Sequence, residues 1–180
     1  MRRLLGLVCA ALIILSACGR EPTPIEPKPK TSPSGAAPSA STSPAETLPE
    51  PPPYVDEASV RGRATFAGYW IHLLNYSVTT GTTNHLEAVS SPACDGCANY
   101  ITQIRKDRQE GVRSIDFQWK PVTADPGAGN DVLVHVDARA YERTSKNGDP
   151  VRVDADRYEV GFELERDGSS WRARELYLPK

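Results

Sequence analysis

The sequence predicts an α+β domain in which N-terminal helices pack on one face of a four-stranded antiparallel meander sheet. Three observations carry this prediction. Apolar residues recur at helical spacing through residues 58–80, and from residue 115 onward they alternate with polar ones instead. The dipeptides Asn147-Gly148 and Asp167-Gly168, which are typical of tight hairpins, separate the alternating stretches.

Three helices are expected before the sheet. Residues 58–80 carry an apolar stripe, and Gly81 is a suitable residue to end that helix. A short second helix is expected from Asn84, and residues 95–110 are expected to form a third. The stripe of the first helix consists of Val60, Ala64, Ala67, Ile71, Leu74 and Val78, and it is widened by Phe66, Trp70, Leu73 and Tyr76.

Four strands are expected after the helices. Residues 115–119 and 132–140 alternate without interruption, and the turn between them is the longer stretch at 125–130. From Val151 to Leu164 the apolar parity changes once, which predicts a β-bulge near Asp156. The last strand, from Trp171 to Leu178, shows a similar change of parity.

The N-terminus has the pattern of a secretion signal. Arg2 and Arg3 precede an apolar run that is too short to span a bilayer stably, and the run ends in small residues before Cys18. This arrangement resembles a bacterial lipobox, which implies removal of residues 1–17 and attachment of lipid to Cys18. An ordinary secretion signal or an uncleaved anchor are the alternatives. The predicted location is the outer face of the cell membrane, with membrane contact through the lipid.

Residues 18–57 are predicted to be a disordered linker that follows the lipidated cysteine. Eleven of the chain's 16 prolines fall between residues 19 and 53, and almost no large apolar side chain accompanies them. A plain spacer is favoured over an O-glycosylated stalk or a proline-rich ligand for a partner. Residues 58–180 then form a single domain. The chain has no cluster of basic residues, so nucleic acid is not expected as a partner.

Cys94 and Cys97 form a C-x-x-C motif before the third helix. Removal of Cys9 and lipidation of Cys18 leave these two cysteines as the only possible partners for each other. A structural disulfide is favoured, because cysteines outside the cytoplasm are usually paired. A redox-active pair at a helix N-terminus and half of a metal site remain the alternatives.

Polar and aromatic side chains of the first helix form the candidate pocket. They are Tyr69, Trp70, His72, Asn75 and Tyr76, and core packing is the preferred alternative for the aromatic ones. Asp116 is a further polar group that an enzyme with such a pocket would use. His135 and Asp137 lie two residues apart on one strand face, where an acid–base pair is one interpretation and a solvated or core-edge histidine is the favoured one. No catalytic residue, cofactor or metal site is assigned.

Residues 66–97 carry a resemblance to a known family. The matching positions are Tyr69, Trp70, Leu74, Asn75, Tyr76, Thr80, Gly81, Ser91, Cys94 and Cys97. With the lipobox and the linker, this pattern resembles a family of actinobacterial lipoproteins of unknown function. More distantly, the layout resembles the cone-shaped superfamily of nuclear transport factor two and ketosteroid isomerase. The sequence lacks that superfamily's small hairpin between the second and third helices, which helps to wall its pocket.

These features predict a membrane-tethered extracytoplasmic lipoprotein. A non-enzymatic binding or accessory module is favoured, with an envelope protein or a small apolar ligand as its partner. The alternatives are an enzyme with a cone-type pocket that uses His72, Tyr76 or Asp116, and an envelope thiol–disulfide protein that uses Cys94 and Cys97.

Overall fold

The structure is a computed structural model that describes residues 47–179. The predicted signal peptide, the predicted lipidation site at Cys18 and the linker up to residue 46 therefore lie outside the described residues. Within residues 47–179, no helix is both long enough and apolar enough to cross a membrane.

Three helices begin the domain, as predicted: α1 (Val60–Thr80), α2 (Asn84–Ala88) and α3 (Asp95–Glu110). The side chain of Ser59 accepts a hydrogen bond from the Gly62 amide and caps the start of α1. Gly81 and Gly111, with φ of 73° and 70°, end α1 and α3 in the left-handed conformation that glycine adopts without strain.

Seven strands follow the helices and form two antiparallel sheets. The larger sheet has the order β2-β3-β6-β7, and the smaller has the order β1-β4-β5. The strands are β1 (Arg113–Ile115), β2 (Trp119–Pro126), β3 (Asp131–Ala138), β4 (Tyr141–Thr144), β5 (Val151–Val153), β6 (Asp156–Asp167) and β7 (Ser170–Tyr177).

The α+β class and the four-stranded antiparallel sheet are confirmed, whereas the simple meander is wrong because a second sheet interrupts it. The predicted first strand breaks at Asp116, whose φ of 63° is incompatible with extended backbone. The expected bulge near Asp156 is instead a break between β5 and β6, which lie in different sheets. The parity change in the last strand is real, since the β6–β7 register shifts between Glu163 and Leu164.

The core lies between α1 and the inner face of the larger sheet. Trp70, Ile71 and Leu74 are each 0% exposed and belong to the same apolar cluster as Val134 and Phe162 of the sheet. The middle of the stripe predicted for the first helix is therefore buried, whereas Val60 at its start is 58% exposed.

The folded part begins earlier than the predicted linker boundary. Val55 is buried in the core cluster, and the carbonyl oxygen of Glu57 accepts a 2.7 Å hydrogen bond from the indole N–H of Trp171. Composition assigned residues 47–57 to a disordered linker because of their prolines. One apolar side chain and a few main-chain acceptors suffice to hold this segment on the domain.

Candidate functional site

A cavity of about 420 Å³ lies between the C-terminal turns of α1 and α3 and the small β1-β4-β5 sheet. The end of β3, the start of β2 and the start of β6 complete its walls. The lining residues are Val78, Thr79, Gly81, Tyr100, Gln103, Ile104, Asp107, Arg108, Val112, Arg113, Ser114, Ile115, Asp116, Phe117, Trp119, Ala138, Tyr141, Arg143, Val153, Asp154 and Tyr158.

Five aromatic side chains on four elements and one connecting loop line the cavity. The ring of Trp119 stacks on Tyr158 at 5.4 Å between centroids and contacts Phe117 and Tyr100 at 6.0 Å each. Phe117 in turn meets the ring of Tyr141 edge-on at 5.2 Å. Because edge-to-face and offset contacts are favourable, these rings support one another while their remaining surface borders empty space.

Asn75 fixes the position of Trp119. Its side-chain amide donates to the Trp119 carbonyl oxygen at 2.8 Å and accepts from the Trp119 amide at 2.9 Å. Asn75 is only 7% exposed, so both bonds are shielded from water. The first residue of β2 is therefore tied to the last turns of α1, and the indole is held at the cavity wall.

The indole N–H of Trp119 differs from those of the other two tryptophans. Trp70 donates to the hydroxyl of Ser90 at 3.0 Å, and Trp171 donates to the carbonyl of Glu57 at 2.7 Å. Trp119 Nε1 has no hydrogen-bond partner within residues 47–179. The indole N–H of a buried tryptophan usually has a hydrogen-bond partner. Because Trp119 is half-buried and its N–H lacks one among the described residues, that N–H is available to water or to a ligand.

Charged groups of both signs stand among the lining residues. The carboxylate of Asp107 pairs with Arg143 and also accepts a 2.6 Å hydrogen bond from Gln103. Asp116 and Arg113 take part in no ion pair within residues 47–179. Arg108, whose Nη1 contacts the carbonyl oxygen of Thr80, is in no ion pair of this part of the chain either, so two arginines and one aspartate of the lining are uncompensated by an opposite charge.

Burial raises the pKa of Tyr100, and the nearby hydroxyl of Tyr158 raises it further. The pKa of Tyr158 is likewise raised, first by burial and then by the charge of Asp156 and the neighbouring Tyr141. Both phenols therefore stay protonated at physiological pH and present hydroxyl groups that can donate hydrogen bonds.

None of the five residues predicted to form the pocket lines this cavity. Trp70 is 0% exposed and packs edge-on against Phe162 at 5.5 Å, which is the core role that was preferred for it. Tyr69 is half-buried on α1, and its hydroxyl lies 3.4 Å from the carbonyl oxygen of Pro49. The apolar stripe of α1 identified which face is buried, but it could not show which part of that face borders empty space.

The remaining three predicted pocket residues serve other purposes. Tyr76 packs edge-on against His85 at 6.1 Å, and His72 is exposed, with partial desolvation of its ring lowering its pKa. Asn75 acts on the cavity only through Trp119. Of the three polar groups considered for an enzyme, only Asp116 reaches the cavity, so the structure does not assemble that set.

His135 does not pair with Asp137, contrary to the proposed acid–base contact. Its Nε2 lies 3.2 Å from Asp125 and its Nδ1 lies 3.5 Å from Glu159, while Asp137 pairs with Arg157 at 3.2 Å. Residues opposite each other on neighbouring strands are closer than residues two apart on one strand. Glu159 is directly opposite His135, so cross-strand partners replaced the expected one.

The sulfur atoms of Cys94 and Cys97 are 2.07 Å apart, which is disulfide distance. Each cysteine is 1% exposed, and the turn between them packs on β7. A Cβ atom at Gly96 would come within 1.9 Å of the carbonyl oxygen of Leu176, so only glycine fits there. A buried bridge leaves no direct approach for an attacking thiolate, which favours the structural interpretation over redox chemistry.

Comparison with known proteins gives a family but no activity. The model of a family of unknown function, DUF6318, matches residues 36–175. The chain belongs to the DUF6318 family. A family of unknown function was expected from residues 66–97, and that part of the prediction is confirmed. No curated protein matches this DUF6318 chain.

Two solved structures are similar to the DUF6318 chain. The intermembrane space region of the chloroplast protein ARC6 aligns with a TM-score of 0.54 at 13% identity, over 68% of this chain and 97% of that one. Aln2 from a Streptomyces species aligns with a TM-score of 0.41 at 17% identity, over 73% of this chain and 93% of that one. The first likeness shows a shared fold and nothing about activity.

Proposed function

We propose that this protein is a lipid-anchored extracytoplasmic module that holds a small apolar ligand in the cavity between α1, α3 and the small sheet. The observation that carries the proposal is a cavity of about 420 Å³ with five aromatic rings in its walls. Small-molecule sites are of this size and are lined mainly by apolar and aromatic side chains with a few polar groups.

The energetics of the aromatic cluster support binding. Tyr100, Trp119, Tyr141 and Tyr158 are half-buried, although each belongs to a packed group of rings. Apolar surface that remains exposed forgoes roughly 25 cal/mol per Å² that burial would contribute. A ligand that covers these rings would recover that free energy without displacing any core residue.

The proposed anchor rests on residues 1–18 and on the resemblance to actinobacterial lipoproteins. The described chain enters the domain before α1, whereas the cavity lies at that helix's C-terminal end. A helix of 21 residues is about 31 Å long at 1.5 Å per residue. The cavity therefore lies at the opposite end of α1 from the point at which the described chain enters that helix.

The native intact mass of the protein purified from its own host's membranes tests both parts. We expect acyl mass on Cys18 and an additional noncovalent mass, of a size that fits the cavity. Alkylation before and after reduction should show Cys94 and Cys97 protected until reduction. Absence of acyl mass would overturn the anchor, and two freely alkylated thiols would revive the thiol–disulfide hypothesis.

Occupancy of the cavity is tested with matched tyrosine variants. Tyr141 lines the cavity, whereas Tyr177 lies on β7 away from it. We expect Tyr141→Ala to release the noncovalent mass, and Tyr177→Ala to retain it, when each is purified from the same membranes. Equal retention in both variants would show that the bound molecule sits elsewhere and would overturn the proposed site.

A further inference from the structure

We infer that the cavity selects an aromatic or otherwise flat apolar molecule that carries a carboxylate, and that Arg113 receives the carboxylate. The inference deepens the proposed function and rests on it. It follows from an account of which polar groups around the cavity already have partners and which do not.

The apolar part of the ligand is defined by the rings. Phe117 is 8% exposed and forms the floor of the cluster, while Trp119 and Tyr158 stack on each other with an interplanar angle of 29°. Flat rings gain from stacking or edge contacts with such a group beyond the area that they bury. A planar apolar body suits this wall better than a branched aliphatic one.

Six charged side chains line the cavity, three arginines and three aspartates, and half of them are already paired with an opposite charge. Arg143 pairs with Asp107, and Asp154 lies 3.7 Å from Arg152. These contacts neutralise one arginine and two aspartates of the lining.

Two arginines and one aspartate remain. Arg108 lies with Nη1 3.4 Å from the carbonyl oxygen of Thr80, near the C-terminal end of α1, where a cation is favourable. Arg113 has no acceptor within residues 47–179, and Asp116 has no cationic partner there. The uncompensated charge of the lining is therefore positive by one, which favours an anion over a cation.

The neutral polar groups point to the same ligand chemistry. The indole N–H of Trp119 is without a partner within the described residues, and the phenol of Tyr100 also carries a donor, whereas the hydroxyl of Tyr158 is shared with the carboxylate of Asp156. The indole can only donate and the Tyr100 phenol can donate as well as accept, so an acceptor on the ligand satisfies both. A planar guanidinium such as that of Arg113 binds a carboxylate with two parallel hydrogen bonds.

A matched set of probes tests the charge preference. The unlipidated chain from residue 18, carrying Cys18→Ser, is titrated with 2-naphthoate, 2-naphthalenemethanol and 2-naphthylmethylammonium by calorimetry. These share one aromatic body and differ in the charge of one substituent. We expect 2-naphthoate to bind about tenfold more tightly than the alcohol, the effect of one charge-assisted hydrogen bond, and the ammonium to bind most weakly.

Three variants test which residue causes the preference for 2-naphthoate. Arg113→Gln should abolish the preference for 2-naphthoate while leaving the alcohol's affinity unchanged. Asp116→Asn removes the competing negative charge and should strengthen 2-naphthoate binding several-fold. Arg174→Gln, which removes an arginine paired with Glu163 on the larger sheet, is the charge-matched control and should change neither.

The outcomes separate the inference from the proposed function. Equal affinities for all three probes, or tighter binding of the ammonium, would overturn the carboxylate inference and leave the cavity as an apolar site. Preference for 2-naphthoate that survives Arg113→Gln would overturn the role of Arg113. Failure of every probe to bind, with Tyr141→Ala still retaining the native mass, would overturn the cavity as the binding site.

Discussion

Trp70 and Trp119 mark two ends of the same domain that differ in how completely they are packed. Around Trp70 the core is filled: the side chain is 0% exposed, its N–H donates to Ser90, and Phe162 packs against its ring. Around Trp119 the rings contact one another but border a cavity, and the indole N–H has no partner within residues 47–179. Tyr100 contacts both tryptophans and joins the two ends.

This difference shows which part of the domain contributes packing stability and which part has space for a ligand. Protein interiors are close-packed, so a cavity of about 420 Å³ forgoes contacts that a filled core would make. The close-packed region around Trp70, the filled end, supplies stability that offsets the contacts missing around Trp119, the hollow end. Substitutions at the two ends should therefore separate loss of folding from loss of binding.

The largest effect is expected for alanine at the two tryptophans. Trp70→Ala should lower the free energy of unfolding by about 3–5 kcal/mol, the usual cost of removing a fully buried aromatic side chain. Trp119→Ala should cost roughly 1–2 kcal/mol, because the ring is only half-buried, but it should abolish probe binding. Urea unfolding followed by circular dichroism measures the first quantity, and calorimetry with 2-naphthalenemethanol measures the second.

Equal destabilisation by the two variants would contradict the comparison, since it would mean that the rings around Trp119 belong to the core. Trp171→Phe provides a reference at a third site. It removes the hydrogen bond to Glu57 while keeping most of the buried surface, so it should leave probe binding intact.

Of two glycines on helices, one gives the next largest destabilisation and the other serves as its comparison. Gly96→Ala should cost roughly 3 kcal/mol, because its Cβ would lie 1.9 Å from the Leu176 carbonyl oxygen and the backbone of β7 would have to move. Gly68→Ala should instead stabilise by about 0.5–1 kcal/mol, because no heavy atom lies within 4 Å of its Cβ and alanine favours the helix. Thermal unfolding of both variants checks this, and a stable Gly96→Ala protein would show that α3 is not pressed against β7.

Asn75 links the two ends, so its replacement should affect both stability and binding. Asn75→Ala leaves the N–H and C=O of Trp119 without their partner and should cost about 2 kcal/mol, or about 1 kcal/mol for each lost hydrogen bond. Probe affinity should fall as well, because the indole is no longer held at the wall. Asn99→Ala on the exposed side of α3 is the control, and unchanged probe affinity in Asn75→Ala would contradict the positioning role.

The sequence predicted the filled end of the domain far better than the hollow end. Helical spacing and alternation reflect burial, and burial selected α1, α3, β3 and β7 with nearly the observed bounds. The first predicted strand overlaps β2 only at Trp119, and the third joined β5 to β6. The same signal cannot distinguish an aromatic side chain in the core from one beside a cavity. Trp70 was therefore included in the predicted pocket, whereas Trp119 was only a strand residue.

The sequence did not reveal the path of the chain between residues 111 and 119 or between residues 138 and 156. Asp116 adopts φ of 63°, and the short strands that follow pair with β1 instead of extending the larger sheet. Strands of three or four residues have too little alternation to define a register. The change of apolar parity near Asp156 was the available signal, and it indicated an irregularity without showing that the strand changed sheets.

The smallest expected effect concerns the tyrosine that both ends share. Burial raises the pKa of Tyr100 above its ordinary value of 10.0, so the folded protein holds this proton more tightly than the unfolded chain does. The corresponding stability is fully present below pH 10 and is lost as the pH rises through the folded-state pKa. Tyr100→Phe should make the free energy of unfolding less dependent on pH above 10, measured by urea unfolding at several pH values.

Since the pKa of Tyr158 is raised as well, part of the pH dependence should persist in this variant and disappear when Tyr158→Phe is added. A slope unchanged by both substitutions would mean that the hollow end is open enough for water to solvate both phenolates, which would weaken the case for a sheltered binding site.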